Sequence, residues 1–186
     1  MVVEAFIVST LVVAVGEIGD KTQLLALLLS ARFRRPLPIV LGIFVATLAN
    51  HAIAGALGEW VRSAVGPQML QWILGLSFIA LGAWALVPDS YDARPAALDR
   101  FGVFLVTTCA FFLAEMGDKT QIATVALAAE YHAYVSVVAG TTLGMLVANV
   151  PVVSVANRAA PRIPLRAVRV VSATLFVVMG LVILLR

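Results

Sequence analysis

Glu17, Asp20 and Gln23 return 98 residues later as Glu115, Asp118 and Gln121, within the stretches Glu17-Ile18-Gly19-Asp20-Lys21-Thr22-Gln23 and Glu115-Met116-Gly117-Asp118-Lys119-Thr120-Gln121. Four carboxylates of this kind supply the oxygen ligands that hard divalent cations prefer. Asn50, Asn149, Thr22, Thr120, Gln23 and Gln121 add neutral oxygens as candidate further ligands. Manganese, calcium and magnesium all suit such a set. Together with Lys21 and Lys119, the four carboxylates sum to a charge of minus two, which one divalent cation or two protons neutralise. Metal entry then expels protons and protonation expels metal, the competition on which an antiporter runs.

Both copies lie inside long apolar runs, so the elements that carry them are membrane helices. Placing six charged groups there costs on the order of 15 kcal/mol, at roughly 2.5 to 3.5 kcal/mol for each Asp or Lys at the centre of a span. The composition agrees: 62% of the residues are hydrophobic, 12% are charged and the mean hydropathy is +1.03. With about 20 apolar residues needed per crossing, 186 residues leave room for six spans and no separate soluble domain. Pro, Gly and charge bound them at about 2–30, 37–61, 67–87, 101–129, 133–157 and 164–185. The expected fold is therefore an all-α polytopic membrane protein, with a first three-helix repeat over 1–87, a linker over 88–100 and a second repeat over 101–186. A net charge of +3 does not imply nucleic acid, because the cations lie between the spans.

Alternating loops separate the basic residues. Arg32, Arg34, Arg35, Arg94, Arg100, Arg158, Arg162, Arg166 and Arg169 fall on one side, against Arg62 and Arg186 on the other. Basic loops stay cytoplasmic, so both termini are expected outside the cytoplasm. Three spans per half is an odd number, which turns the second half upside down relative to the first. The two motifs then face one another near the membrane midplane, related by a two-fold axis in its plane. Asn50 and Asn149, 99 residues apart, read as a weaker echo of the duplication. The start of the chain lacks a basic segment and a small-residue cleavage site, so its first apolar stretch is expected to remain as helix one.

On a continuous helix Glu17, Asp20 and Gln23 form one polar stripe, as do Glu115, Asp118 and Gln121. Gly19 and Gly117 permit either close helix approach or local unwinding, and the sequence is compatible with both. Lys21 and Lys119 are read as setting charge balance and gating, each pairing with carboxylates when its own side of the cavity closes. The stretches EIGDKT and EMGDKT match the duplicated Glu-x-Gly-Asp-Lys/Arg-Thr/Ser signature, and the chain resembles the UPF0016 proteins, also called the Gdt1 family, over its whole length. That resemblance implies a manganese or calcium/proton exchanger of the lysine-exporter-like superfamily, with its site at Glu17, Asp20, Glu115 and Asp118. It implies no prosthetic group and no enzyme activity, and it favours manganese export across a bacterial inner membrane.

Other readings of the same residues are weaker. Ion pairs that merely lock two helices seldom repay their desolvation. An aspartyl protease dyad has no use for two lysines and two further glutamates. An exporter of a cationic amino acid or other small solute is the alternative function, and a passive channel would show no proton dependence. His51 beside Asn50 reads as a helix-to-helix hydrogen bonder, while His132, Trp60, Trp72 and Trp84 read as interfacial or packing residues. Cys109 reads as a packed thiol, and Gly140 and Gly144 as a GxxxG contact surface.

Overall fold

A computed structural model describes residues 2–87, 102–155 and 165–185. Those residues form eight helices: α1 (Val2–Glu17), α2 (Lys21–Phe33), α3 (Pro36–Ala64), α4 (Pro67–Ala85), α5 (Val103–Glu115), α6 (Lys119–Tyr131), α7 (Tyr134–Val155) and α8 (Leu165–Leu184). No strand occurs among the described residues. The expected linker over 88–100, the start of the fourth span at Phe101, and the junction of the fifth and sixth spans with Arg158 and Arg162 lie outside them. By length and apolarity α3, α4 and α7 can each cross a membrane, and α1 with α2 makes a fourth candidate bent by 70°. Val103–Glu115 and Arg169–Leu184 are shorter apolar helices.

The motif does not sit on a continuous helix, which corrects the uniform polar stripe expected above. Gly19 takes φ 80° and Gly117 takes φ 73°, backbone that ends α1 and α5 two residues earlier and starts α2 and α6 two residues later. A side chain at either position would be strained there, so glycine serves unwinding. Asp20 (φ −85°, ψ 170°) and Asp118 (φ −80°, ψ 165°) then stand at the N-caps of α2 and α6. Each break closes on itself in the same way. The Asp20 and Asp118 amides donate to the Glu17 and Glu115 carbonyls at 3.1 Å, and the Gly19 and Gly117 amides donate to Gln23 Oε1 at 2.8 Å and Gln121 Oε1 at 2.7 Å. The glutamines thus supply acceptors that a broken helix in lipid would otherwise lack. Arg34 and His132, also 98 residues apart, end α2 and α6 in matching left-handed conformations at φ 53° and 51°. Pro36 and Pro67 occupy first helical turns, where the missing amide costs nothing.

Packing crosses between the halves. α1 lies along α7, α5 along α3, and α4 pairs with α8. A Cβ on Gly140 would stand 2.5 Å from the Phe6 carbonyl and 3.1 Å from Ser9, and a Cβ on Gly42 would stand 2.9 Å from the Phe104 carbonyl and 2.7 Å from Thr107. The two contacts interchange when every number is shifted by 98. Gly75 against Gly180 and Gly82 against Ala173 interchange likewise. The GxxxG glycines therefore serve approach within this chain, Gly144 reaching the Thr10 carbonyl of α1.

Phe78, Phe176 and Leu127 anchor one buried apolar cluster, and Leu25, Ile43 and Phe111 anchor another. Large apolar side chains such as Leu11, Leu28, Leu57 and Leu76 are exposed, an outer surface suited to lipid rather than water. At Gly58 a Cβ would fall 2.3 Å from the Val125 carbonyl and 2.8 Å from Ala128, so Gly58→Val is expected to wedge α3 from α6. The melting temperature in detergent should fall by several degrees, roughly the effect of 1 to 3 kcal/mol of overpacking, whereas Gly66→Ala, with nothing nearby, should match wild type.

Candidate functional site

The two helix breaks meet in the interior. Glu17 closes α1 and Glu115 closes α5, and both are fully buried, as are Asp20 and Asp118 at the starts of α2 and α6. Two helix N-termini, with their partial positive charge, thus point at the aspartates. Glu17, Asp20 and Asp118 each present one oxygen within 4.8 Å of the others, a set that can hold a metal ion. Glu17 Oε1 and Asp118 Oδ2 are buried without a hydrogen-bond partner. Glu115 lies outside this set.

The lysines bind across the halves and not along their own helices. Lys21 Nζ lies 3.4 Å from Asp118 Oδ1, and Lys119 Nζ lies 3.9 Å from Asp20 Oδ1. Pairing of Glu17 with Lys21 at a four-residue spacing requires an unbroken helix, and the turn at Gly19 removes it. Each lysine follows the aspartate of its own half but neutralises the aspartate of the other, so the two motifs are joined through charge. Lys119 also stands over the Trp84 ring at 5.8 Å from its centroid, a cation–π contact for a tryptophan that sequence reads as interfacial or packing.

The neutral candidates divide. Thr22 Oγ1 donates to Glu17 Oε2. Asn50 Nδ2 donates to Glu115 Oε2 at 3.3 Å and to the Phe112 carbonyl at 3.0 Å. Gln23 and Gln121 serve the breaks, their amide nitrogens reaching the Ala148 carbonyl at 2.9 Å and Asn50 Oδ1 at 3.5 Å. Thr120 is buried, with no partner for its hydroxyl. Asn149 turns away to its own helix, donating to the Met145 carbonyl at 3.1 Å and lying 2.9 Å from its sulfur. The echo of Asn50 by Asn149 is therefore one residue out of register. Where Gln121 meets Asn50, Gln23 meets Ala148, 98 residues beyond Asn50.

Thr47 is the neighbour that sequence reading misses: its hydroxyl donates to Glu115 Oε1 at 2.8 Å. It lies three residues before Asn50, on the same helix face, which is the signal that could have identified it. His51 is fully buried, and neither ring nitrogen has a hydrogen-bond partner, so the expected helix-to-helix bond is not made. Beside the site, Gly16, Gly19, Asp20, Ala85, Lys119 and Arg169 line a narrow cleft of about 10 Å³, room for about one water.

Comparison with known proteins identifies the family. The family model described as "Divalent cation/proton antiporter GDT1" matches residues 5–93 and 103–186. A Vibrio cholerae protein named "Putative manganese exporter" is 49% identical over 181 residues, covering 97% of this chain and 90% of its own length. The GDT1-like protein sll0615 of Synechocystis is 29% identical over 96% of this chain and 95% of its own. GDT1-like protein 4 of Arabidopsis thaliana is 25% identical over 97% and 95%. No solved structure matches. This family consists of transporters and not enzymes, and its membrane-capable helices place the chain as an integral membrane protein. The chain belongs to the GDT1 family of divalent cation/proton antiporters.

Proposed function

We propose that this protein exchanges a divalent cation, manganese before calcium, for protons at the meeting point of the two helix breaks. The observation that carries the reading is the crossed pairing of Lys21 with Asp118 and Lys119 with Asp20 around three clustered carboxylate oxygens. A cation entering this set competes with ammoniums and protons for the same oxygens, so its arrival displaces positive charge. The name of the Vibrio cholerae relative favours manganese and an outward direction.

In the membrane, α1 with α2 and α5 with α6 each make one broken span, and α3, α4, α7 and α8 make the others. The contacts that interchange under a shift of 98 support two inverted three-span repeats, 1–87 and 101–186, joined by 88–100. The basic loops support a bacterial inner-membrane orientation with both termini outside the cytoplasm. Glu17, Asp20 and Asp118 act as ligands, with Glu115 required for exchange.

Manganese flux into proteoliposomes carrying an internal pH dye tests the reading. Metal entry should make the interior more alkaline, and Glu17→Gln with Glu115→Gln should abolish both signals. Metal flux without proton movement would identify a channel, and no metal flux would turn attention to cationic amino acids.

A further inference from the structure

We infer that the two aspartates belong to the metal seat throughout the transport cycle and that the two glutamates take turns in it, Glu17 being the one engaged in this arrangement. The inference rests on the proposed metal exchange and adds a division of labour among its four carboxylates. The seat is one-sided: Glu17, Asp20 and Asp118 bring oxygens within 4.8 Å of one another, and Glu115 does not join them.

The reason lies on α3. Thr47 donates to one Glu115 oxygen at 2.8 Å and Asn50 to the other at 3.3 Å, so both oxygens are occupied by neutral donors. Asn50 is in turn held by the Phe112 carbonyl and approached by Gln121, which caps the break at Gly117. At the same register on α7, 98 residues on, stand Met145 and Ala148, and neither carries a hydroxyl or amide. Glu17 accepts from Thr22 of its own motif and keeps Oε1 buried without a hydrogen-bond partner, while one of its oxygens lies within 4.8 Å of those of the two aspartates.

Shifting the engaged set by 98 exchanges Glu17 for Glu115 and swaps Asp20 with Asp118, so the aspartates stay and the glutamate changes. Lys21 and Lys119 exchange roles in the same operation, since their crossed pairs map onto each other. If the halves exchange conformations during transport, the seat is then rebuilt around Glu115. Thr47 and Asn50 are positioning residues that hold Glu115 out of the seat and bias the protein towards the Glu17 arrangement. Nothing equivalent on α7 withdraws Glu17.

The test measures manganese affinity for full-length protein in nanodiscs, from the electron paramagnetic resonance signal of free Mn²⁺, alongside flux in proteoliposomes. Glu17→Gln should weaken binding by roughly a hundredfold, the effect of about 2.7 kcal/mol lost from a buried charged ligand. Glu115→Gln should change affinity by less than about threefold while stopping flux, a split between binding and turnover. In the background of Thr47→Val and Asn50→Leu, Glu115 is freed to replace Glu17, and the Glu17→Gln penalty should shrink at least about tenfold. Equal losses of affinity in Glu17→Gln and Glu115→Gln would overturn the alternation while leaving metal exchange intact. Wild-type protein that binds no manganese would overturn the exchange reading itself. The two single variants decide the question even if the doubly substituted background does not fold.

Discussion

Asp118→Asn is expected to abolish manganese exchange, lowering flux more than about a hundredfold while leaving the fold nearly unchanged. The Asp118 side chain makes no cap hydrogen bond to α6 and asparagine is accepted at an N-cap position, so the start of α6 should survive the change. What disappears is charge: the seat loses one of its three clustered carboxylates, and Lys21 loses the partner 3.4 Å away. An ammonium stranded against a buried amide is costly, and Lys21 is only 22% exposed. Asp20→Asn should behave alike, because Asp20 pairs with Lys119 and stands at the N-cap position of α2 in the same backbone geometry. Flux in proteoliposomes and melting in detergent, measured on the same preparations, separate a lost ligand from a lost fold. Retained flux in either variant would remove the aspartates from the transport path.

The residues that carry this prediction were legible in the sequence because the duplication marks them twice and because charge inside an apolar run is expensive. Their pairing was not. Glu17 and Lys21 are four residues apart, which on an unbroken helix is a favourable ion-pair spacing, and only the left-handed turn at Gly19 separates them. Glycine in a membrane helix signals close approach or unwinding equally well, so the choice between the two rests on backbone conformation that residue types leave open. Gly140 shows the other outcome, a glycine within α7 that admits the Phe6 carbonyl.

Register was subtler. Asn50 and Asn149 look like repeat partners, yet contacts fix the interval at 98, placing Ala148 opposite Asn50 and Asn149 opposite His51. A one-residue slip rotates a helical position by about 100°, enough to move a side chain from the site to another face. Thr47 was missed, and Trp84 read as an interfacial or packing residue, for a related reason. A threonine or tryptophan in an apolar run is unremarkable until the helix facing it is known, and cross-half packing of α3 on α5 and α4 on α6 supplies that knowledge only in three dimensions. The number of spans follows the same logic. Hydropathy joins α1 to α2 across the break, while the helices themselves are short and meet at 70°.

Lys21→Ala should bind manganese at least as tightly as wild type and yet lose coupled exchange, with proton movement per metal ion falling by about tenfold or more. Lys21 and Lys119 are equivalent in sequence but differ in their surroundings. Lys119 is 7% exposed and lies over Trp84, whereas Lys21 is 22% exposed and reaches Asp118 from a more open position. Valine stands 98 residues after Trp84, so no second ring holds Lys21 in the same way. The Lys21 ammonium therefore has the freer path off its aspartate, and a divalent cation bound at Asp118 must displace it. Removing that competitor lets metal stay, while Asp118 loses the positive charge that neutralises it once metal leaves. The metal-free seat then carries one more uncompensated negative charge, so its return slows and metal dwells instead of cycling. Lys21→Arg keeps the charge on a bulkier head and should retain part of the coupling. Measuring metal affinity and the proton-to-metal ratio on both variants distinguishes this account from simple damage to the site, which would weaken binding together with flux. Weakened binding in Lys21→Ala would mean that the lysine builds the seat and does not compete for it.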